Sequence, residues 1–208
     1  CSSMWQIPDL DSIEPIMPRH EPLSLPYEPY ARDEVYLSRS WVLPGTKGLI
    51  HQLGGLEKDM KSGKVSYDAK NHESMTIARA LKIERVKDFV KAPQIFGEEK
   101  GDVLLVGFGG TFGALRQACI DLCAQDYKVS HLHLELLNPL HDQIGTYLSA
   151  FSHVVIAEHN LSQLRTLLRA KFLIDATGLN KVMGKPFLVE EVINHVKKIL
   201  NPKDRAIS

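Results

Sequence analysis

A glycine-rich turn is the first place in this sequence where the residue types suggest chemistry. Gly109, Gly110 and Thr111 follow the apolar run 103–106 and precede a helical pattern. Backbone N–H groups at the start of a helix can bind an anion, and Thr111 can cap that helix. These three residues are therefore candidates for an anion or phosphate site.

The spacing of the turn differs from the dinucleotide-binding fingerprint. Counting G-x-G-x-x-G from Gly107, the third glycine comes one residue late, at Gly113. No acidic residue stands where the ribose partner is expected, because that segment reads Val129-Ser130-His131. A tight strand-to-helix turn without a ligand is favoured over a nucleotide site.

A second polar group ends a predicted strand. Glu158, His159 and Asn160 follow the apolar run 154–157 and precede a helix. Ligands of open α/β sheets bind at the carboxyl ends of strands, and a Glu beside a His could transfer a proton. The alternative is a polar loop in which Asn160 or Ser162 caps the helix.

Histidines and cysteines offer weaker signals. His131 and His133 alternate on one strand with Glu135, and without a third ligand we predict no metal site there. Cys119 and Cys123 lie four residues apart, which is not the C-x-x-C spacing, and are expected to be small buried hydrophobes in a reducing cytosol. The chain has three cysteines, too few for a standard iron–sulfur cluster.

The amino-terminal third has a different composition. Residues 7–44 carry seven prolines, which exclude long helices and central strands and predict an extended arm that aromatic residues anchor. The predicted anchors are Trp5, Tyr27, Tyr30, Tyr36 and Trp41. Three basic residues of this region, Arg32, Arg39 and His51, are either binding groups or solvated surface.

The elements that must position these residues fall into two predicted regions. Region 1–98 comprises the arm, a hairpin over 56–67, and a connecting helix from about Asn71 to Lys91 that Pro93 ends. Region 99–208 alternates strands and helices, which predicts an α/β domain with a mostly parallel sheet and helices on both faces. Its predicted strands are 103–106, 129–137, 154–157 and 172–175, and its predicted helices are 111–125, one starting at Pro139, 161–171, and one from Val189 to Leu200.

Charge and hydropathy exclude several classes of function. The 208 residues contain 25 Lys plus Arg and 25 Asp plus Glu, so a nucleic-acid or membrane-surface role is not expected. No apolar run is long enough to span a membrane, and the start Cys1-Ser2-Ser3-Met4-Trp5 does not have a signal-peptide pattern. A cytoplasmic protein is expected.

Several stretches, taken in order, resemble the alpha subunit of 2-oxoacid:ferredoxin oxidoreductases, and in particular the 2-oxoglutarate type. Those stretches are WVLPGTKGLIHQLGGLEKD (41–59), VSYD (65–68), NH (71–72), DVLLVGFGGTFG (102–113), HLHL (131–134), LNPL (137–140), EHNLSQL (158–164) and LRAK (168–171). The similarity extends over nearly the whole chain.

The resemblance implies a thiamine-dependent enzyme that converts a 2-oxoacid to acyl-CoA, CO2 and reduced ferredoxin. It implies that this chain is the C-terminal region of the alpha subunit, with a domain like the C-terminal domain of transketolase and without the pyrimidine-binding domain. No G-D-G…N metal motif is present, so we expect this chain to have no catalytic residue and to bind no cofactor alone. Thiamine diphosphate, Mg and an iron–sulfur cluster are expected in the full complex.

The expected role is positioning and subunit docking. The implied partners are a beta subunit of the same enzyme, ferredoxin indirectly, and CoA and a 2-oxoacid within a hetero-oligomer, with a homodimer through the α/β domain as a further expectation. Arg39, His51 and the group Glu158-His159-Asn160 are the substrate-proximal candidates. The alternative is a stand-alone nucleotide- or CoA-binding α/β module.

Overall fold

The computed structural model describes residues 7–15 and 26–201. Contacts within the chain divide it into two units. Among the described residues, one unit comprises those up to Val90, and the other begins at Lys91. Of the predicted arm, Trp5, Pro18 and Pro22 lie outside the described residues.

The larger unit contains a mostly parallel sheet, as the alternation of strand and helix patterns predicted, but the sheet has five strands and not the four predicted. Three neighbouring pairs of strands are parallel, and the first strand is an antiparallel edge. The order across the sheet is β1-β3-β2-β4-β5. The strands are β1 (Ile95–Phe96), β2 (Gly101–Phe108), β3 (Val129–Leu134), β4 (Phe151–Glu158) and β5 (Thr177–Asn180).

Helices cover both faces of this sheet. They are α2 (Phe112–Cys123), α3 (Gln143–Ser149), α4 (Gln163–Phe172) and α5 (Val189–Leu200). On one face α2 and α5 pack on a core that includes Leu105, Val155 and Leu115. On the other face α3 and α4 pack on Leu104 and Ile156. The continuous apolar runs of β2 and β4 follow from this arrangement, because both of their faces are buried.

Three predicted boundaries in this unit are wrong, the first being that of the strand predicted over 129–137, which ends at Leu134. Residues 172–175 are not a strand: Phe172 ends α4, and Leu173 adopts a left-handed conformation (φ 53°) with 89% of its surface exposed. The strand of this region is β5, which begins at Thr177 and lies at the sheet edge. Pro139 does not start a helix either, since α3 begins at Gln143.

The last helix agrees with its prediction. Helix α5 buries Val192 and Val196 and carries Glu190 and Glu191 in its first turn. The Glu191 carboxylate accepts a hydrogen bond from the Leu188 N–H at 2.8 Å and pairs with Lys181. Acidic groups here interact favourably with the positive end of the helix dipole.

The smaller unit is largely irregular. A 3-10 turn spans Leu10–Ser12, and the predicted hairpin is reduced to a single antiparallel bridge between Lys58 and Val65. Helix α1 (Ala69–Glu84) is shorter than predicted and continues as a 3-10 turn over Arg85–Asp88. No helix in the described ranges is long and apolar enough to cross a membrane.

A polar loop in this unit is tightly closed on itself. The Asp33 carboxylate accepts hydrogen bonds from the N–H groups of Val35, Tyr36 and Ser38 and from the Ser38 hydroxyl. These bonds, that of the Ser38 side chain first, lower the pKa of Asp33 to about 2. The loop is therefore a defined structure even though it contains no regular element.

Candidate functional site

The carboxyl ends of β2 and β4 form the switch point of the sheet. The two strands are neighbours, with Gly107 paired to Ala157, so Phe108 and Glu158 end side by side. Helix α2, after β2, packs on one face, and α4, after β4, packs on the other. Open α/β sheets bind ligands in the crevice that such a divergence creates.

The glycine turn forms one side of this crevice. Gly109 has a positive φ of 55°, and a Cβ placed on Gly109 or on Gly110 would meet no atom within 4 Å. Thr111 is buried at the N-cap position, but its hydroxyl donates to the Phe108 carbonyl at 3.0 Å and does not cap α2. The prediction of a Thr111 side-chain cap is therefore wrong: the backbone of Thr111 is already helical (φ −83°, ψ −13°), whereas a residue that caps with its side chain normally has an extended backbone.

Glu158 lies on the other side of the crevice and is fully buried. Its two carboxylate oxygens accept from the backbone N–H groups of Leu164 (2.7 Å) and Arg165 (3.1 Å). Its own backbone carbonyl accepts from the Lys181 N–H. The Glu158 carboxylate therefore caps the first turn of α4, so the residue does not present a free base to the crevice.

The two residues after Glu158 are half-buried. The His159 ring stacks on Phe187 with ring centroids 4.6 Å apart. The Asn160 side-chain oxygen accepts from the Gln163 N–H, and its carbonyl accepts from the Asn180 side chain. The helix cap that the sequence offered at Asn160 is present, whereas Ser162 makes no side-chain cap.

The two candidates of the arm, Arg39 and His51, lie in the smaller unit. One terminal nitrogen of Arg39 donates to the Pro29 carbonyl at 3.1 Å, and its guanidinium lies 4.4 Å from the centre of the Tyr30 ring. His51 Nδ1 lies 2.8 Å from the Leu49 carbonyl, and its ring meets Tyr27 edge-on. Both side chains are held by local contacts.

A histidine cluster on β3 is more buried than its alternating pattern suggested. His131 is fully buried, and its Nδ1 accepts from Arg116 Nε at 3.2 Å. Because Nδ1 is an acceptor, the proton of the neutral ring sits on Nε2, which has no hydrogen-bond partner among the described residues. Burial first, and then the charge of Arg116, lower the pKa of His131 to about 3.

This cluster has no third metal-binding group. In the part of the chain that the structure describes, no set of three or more His, Cys, Asp or Glu side chains could hold a metal ion. Arg116 instead lies over the rings of Phe96 (3.9 Å) and Phe112 (4.9 Å). The spacing of the two histidines is visible in the sequence, but the hydrogen bond from Arg116 of α2 to His131 could not be predicted from it.

The two cysteines of α2 differ in exposure. Cys119 is buried and Cys123 is exposed, so the expectation of two buried thiols is wrong for Cys123. Both thiols approach the Val129 carbonyl, at 3.3 and 3.1 Å. Burial raises the pKa of Cys119 to about 12, which makes it an inert thiol.

Comparison with known proteins extends these observations. No protein-family model matches the chain. The chain is 37% identical over 202 residues to 2-oxoglutarate oxidoreductase subunit KorA of Mycobacterium tuberculosis, an alignment that covers 96% of this chain and 30% of KorA. It is also similar to a solved structure, the 2-oxoglutarate:ferredoxin oxidoreductase from Magnetococcus marinus with 2-oxoglutarate, coenzyme A and succinyl-CoA bound. That match has a TM-score of 0.78 and 31% identity, and covers 83% of this chain and 30% of the solved chain.

Proposed function

We propose that this chain, a homologue of part of 2-oxoglutarate oxidoreductase subunit KorA, serves as the structural and subunit-docking region of the alpha subunit of a 2-oxoglutarate:ferredoxin oxidoreductase. The complete enzyme would form succinyl-CoA, CO2 and reduced ferredoxin on thiamine diphosphate. The observation that carries this proposal is the similarity to the two relatives: the sequence alignment with KorA covers 96% of the chain, and the structural match with the Magnetococcus marinus enzyme covers 83%. Because the chain spans 30% of the length of either relative, the activity belongs to the complete assembly.

The polar groups at the switch point support a positioning role. The Glu158 carboxylate is used to cap α4, and Asn160 is hydrogen-bonded to the backbone of the same turn. These groups hold the ends of β4 and α4 in place and are not left for proton transfer. We propose that the larger unit belongs to the class of the C-terminal domain of transketolase, as the resemblance of its sequence implies, and its mostly parallel sheet is consistent with this.

The switch point of the sheet does not fit a thiamine diphosphate site. That cofactor needs a carboxylate at its aminopyrimidine and a metal ion at its diphosphate. The buried carboxylate of the switch point, Glu158, is already occupied by two backbone N–H groups. We propose that other parts of the enzyme bind this cofactor, together with Mg and the iron–sulfur cluster.

Exposed apolar side chains of the smaller unit support docking to a partner. The side chains of Ile50, Tyr67 and Trp41 are 94%, 85% and 73% exposed. Large apolar side chains of an irregular segment are normally buried against another protein surface. We propose that the beta subunit covers this surface in the hetero-oligomer, and that Arg39 and His51 face the 2-oxoacid or CoA there. A homodimer through the larger unit is part of the same proposal.

The test is made on the complete oxidoreductase, in which the alpha subunit carries this sequence. Removal of residues 99–208 should abolish assembly of the subunits or 2-oxoglutarate- and CoA-dependent reduction of a viologen dye. Ile50→Asp and Tyr67→Asp should weaken assembly, because each places a charge in a contact that excludes water. Glu99→Lys, at an exposed loop position, is the matched control and should assemble normally. Full activity and normal assembly of the truncated enzyme would overturn the proposal.

The open glycine turn favours one alternative, a stand-alone nucleotide- or CoA-binding module. Gly109 and Gly110 leave room for a phosphate at the switch point of the sheet. Calorimetry of the chain with CoA, NAD, FAD and S-adenosylmethionine distinguishes the two functions. Binding of one of these with micromolar affinity would support the module, and no heat from any of them would remove it.

A further inference from the structure

Two arginines face each other in the closed loop of the smaller unit. Arg32 and Arg39 are partners in an isolated antiparallel bridge. Directly paired residues place their Cβ atoms about 4.5–5.5 Å apart, and like charges in this arrangement repel each other. A pair of opposed guanidinium groups therefore costs free energy unless an anion compensates it.

Neither guanidinium has a carboxylate partner among the described residues. Arg32 donates to the Leu37 carbonyl at 2.9 Å, and Arg39 donates to the Pro29 carbonyl at 3.1 Å. Each guanidinium has five N–H donors, so most of the donors are left over. The Nε of Arg32 is buried and has no hydrogen-bond partner in the described ranges. An unpaired buried donor is costly, which points to an acceptor that is not part of the described chain.

The loop holds both side chains in position. The Tyr30 ring supports the Arg39 guanidinium from below, and the Asp33 carboxylate closes the loop between the two arginines. Arg85 fixes the loop from outside by donating to the carbonyls of Glu34 and Val35. Arginines that are already held in place lose less conformational freedom when they bind a ligand.

We propose that Arg32 and Arg39 together bind an oxyanion, either a carboxylate or a phosphate group of a small molecule. The planar fork of a guanidinium matches both groups and can hold two of their oxygens at once. A bound anion would offset the repulsion between the arginines and provide an acceptor for Arg32 Nε. The inference rests on the proposed function for the choice of ligands alone, because the two arginines define the site by themselves.

The electrostatics of Arg32 agree with this assignment. Burial first, and then the positive charges of Arg39 and Arg79, lower the pKa of Arg32. Arg79 already has a carboxylate partner, since it pairs with Glu57 at 2.9 Å. Of these three arginines, Arg32 and Arg39 therefore have no carboxylate partner among the described residues and can pair with an anionic ligand.

Binding can be followed on the full chain through the side-chain Nε–Hε signals of the arginines in ¹⁵N spectra. The probes are inorganic phosphate, 2-oxoglutarate and CoA, raised to about tenfold above the ~1 mM Kd expected of a small solvent-open site. We expect the signals of Arg32 and Arg39 to move together with a common Kd. Arg169, whose partner is Asp175, should not move. Movement with 2-oxoglutarate but not with phosphate identifies a carboxylate site, and stronger movement with CoA than with 2-oxoglutarate identifies a phosphate site.

Variants separate binding at this pair from general attraction of anions. Arg39→Gln should weaken binding about ten- to a hundredfold, because it removes charged hydrogen bonds. Arg39→Lys should fall between Gln and the parent, since it keeps the charge and loses the fork. Arg169→Ala should bind as the parent does. Because Arg32→Ala removes a bond to the Leu37 carbonyl, the backbone signals of residues 33–38 must be unchanged before its affinity is compared.

The result that would overturn the inference is equally direct. If none of the three probes moves the Arg32 and Arg39 signals, or if Arg39→Gln binds as tightly as the parent, the pair is not an oxyanion site. Failure here would remove the placement of Arg39 at the 2-oxoacid or CoA, but it would leave the proposed assembly of the oxidoreductase untouched, because that test depends on Ile50, Tyr67 and residues 99–208. The two proposals can therefore fail separately.

Discussion

At the scale of single residues, Glu158 shows how a side chain with catalytic character can be wholly structural. It ends a strand at a switch point, beside a histidine, where functional groups of α/β proteins gather. The structure instead gives both of its oxygens to N–H groups of α4 and excludes it from solvent. The first turn of a helix always leaves such N–H groups unpaired, so a buried acceptor there stabilises the fold.

Removal of this acceptor should destabilise the larger unit strongly. We expect Glu158→Ala to lower the free energy of unfolding by about 2–4 kcal/mol, because two buried N–H groups lose their partner. Glu158→Gln keeps one acceptor oxygen and should cost about 1–2 kcal/mol. Urea unfolding followed by circular dichroism measures both, with Glu99→Ala as the exposed control. Equal stability of Glu158→Ala and the parent would contradict the assignment.

His131 gives the larger unit a specific sensitivity to acid. Its pKa in the folded chain is lowered to about 3, mainly by burial, while an unfolded chain has a histidine pKa of about 6.5. Between these values the unfolded state binds the proton and the folded state does not. The stability should therefore fall as the pH is lowered from about 6.5 toward 3, by about 1.4 kcal/mol per pH unit for this one group.

The measurement is the free energy of unfolding as a function of pH for the parent and for His131→Phe. The variant keeps a buried ring but has no group to titrate at this position. The slope of its unfolding free energy against pH should therefore be smaller over this range, by the amount that one bound proton contributes. His153→Phe is the control, because His153 is exposed. Parallel curves for the parent and His131→Phe would show that His131 does not carry the acid sensitivity.

At the scale of elements, the close packing of β2 against α2 explains why residue 107, near the end of β2, is a glycine. A Cβ on Gly107 would lie 2.3 Å from the Thr111 hydroxyl and 2.5 Å from Leu115 Cδ1. A side chain at this position would have to displace the side chain of Thr111 or Leu115. Gly110 is in the turn between β2 and α2, has no such neighbour, and does not have a positive φ.

The two glycines therefore form a matched pair for substitution. Gly107→Ala should lower the stability by about 1–3 kcal/mol, since the added methyl group displaces Thr111 or Leu115. Gly110→Ala should change the stability by less than about 0.5 kcal/mol, as surface substitutions usually do. Thermal unfolding of the two variants compares them directly, and a Gly107→Ala protein as stable as Gly110→Ala would refute the close approach.

Sequence patterns predicted the buried elements of this fold better than its edges. Strands β2 and β4 and helix α5 were predicted because their apolar residues follow the burial that the sheet imposes. Strand β5 was missed because an edge strand reads TGLN and has no apolar run, while Phe172 and Leu173 at the end of α4 do look like a strand. Hydrophobicity alone does not separate a helix end from a strand start.

The polar groups were harder to predict than the elements. The sequence placed Glu158, His159 and Asn160 at a strand end, but the partners of Glu158 lie six and seven residues further along the chain. Arg32 and Arg39 are likewise brought opposite each other by a backbone bridge, at the base of a loop that the Asp33 carboxylate closes. Such contacts depend on how the chain turns, which residue types alone do not specify.

At the scale of the whole molecule, the two units differ in how much core they possess. The larger unit buries apolar residues on both faces of its sheet. In the described part of the smaller unit, the buried apolar side chains are those of Pro29, Met75 and Ala78. Because apolar burial is the main force that opposes chain entropy, independent stability is expected of the larger unit alone.

Separate production of the two units tests this difference. Residues 91–208 should unfold in one cooperative transition in urea, with the circular dichroism of an α/β protein. Residues 1–90 should show no cooperative transition, since their core is too small to offset the ordering of the chain. A sharp transition for residues 1–90 would mean that the smaller unit is stabilised by contacts other than the buried side chains described above.

The lengths of the two outer strands have a consequence for behaviour at high concentration. Strand β1 has two residues and β5 has four, so each side of the sheet offers a very short row of free backbone groups. Long, flat outer strands recruit further chains and lead to fibrous aggregates, whereas short ones give a recruited strand too few hydrogen bonds to stay. The larger unit should therefore resist amyloid formation even when its exposed apolar residues cause it to associate in other ways.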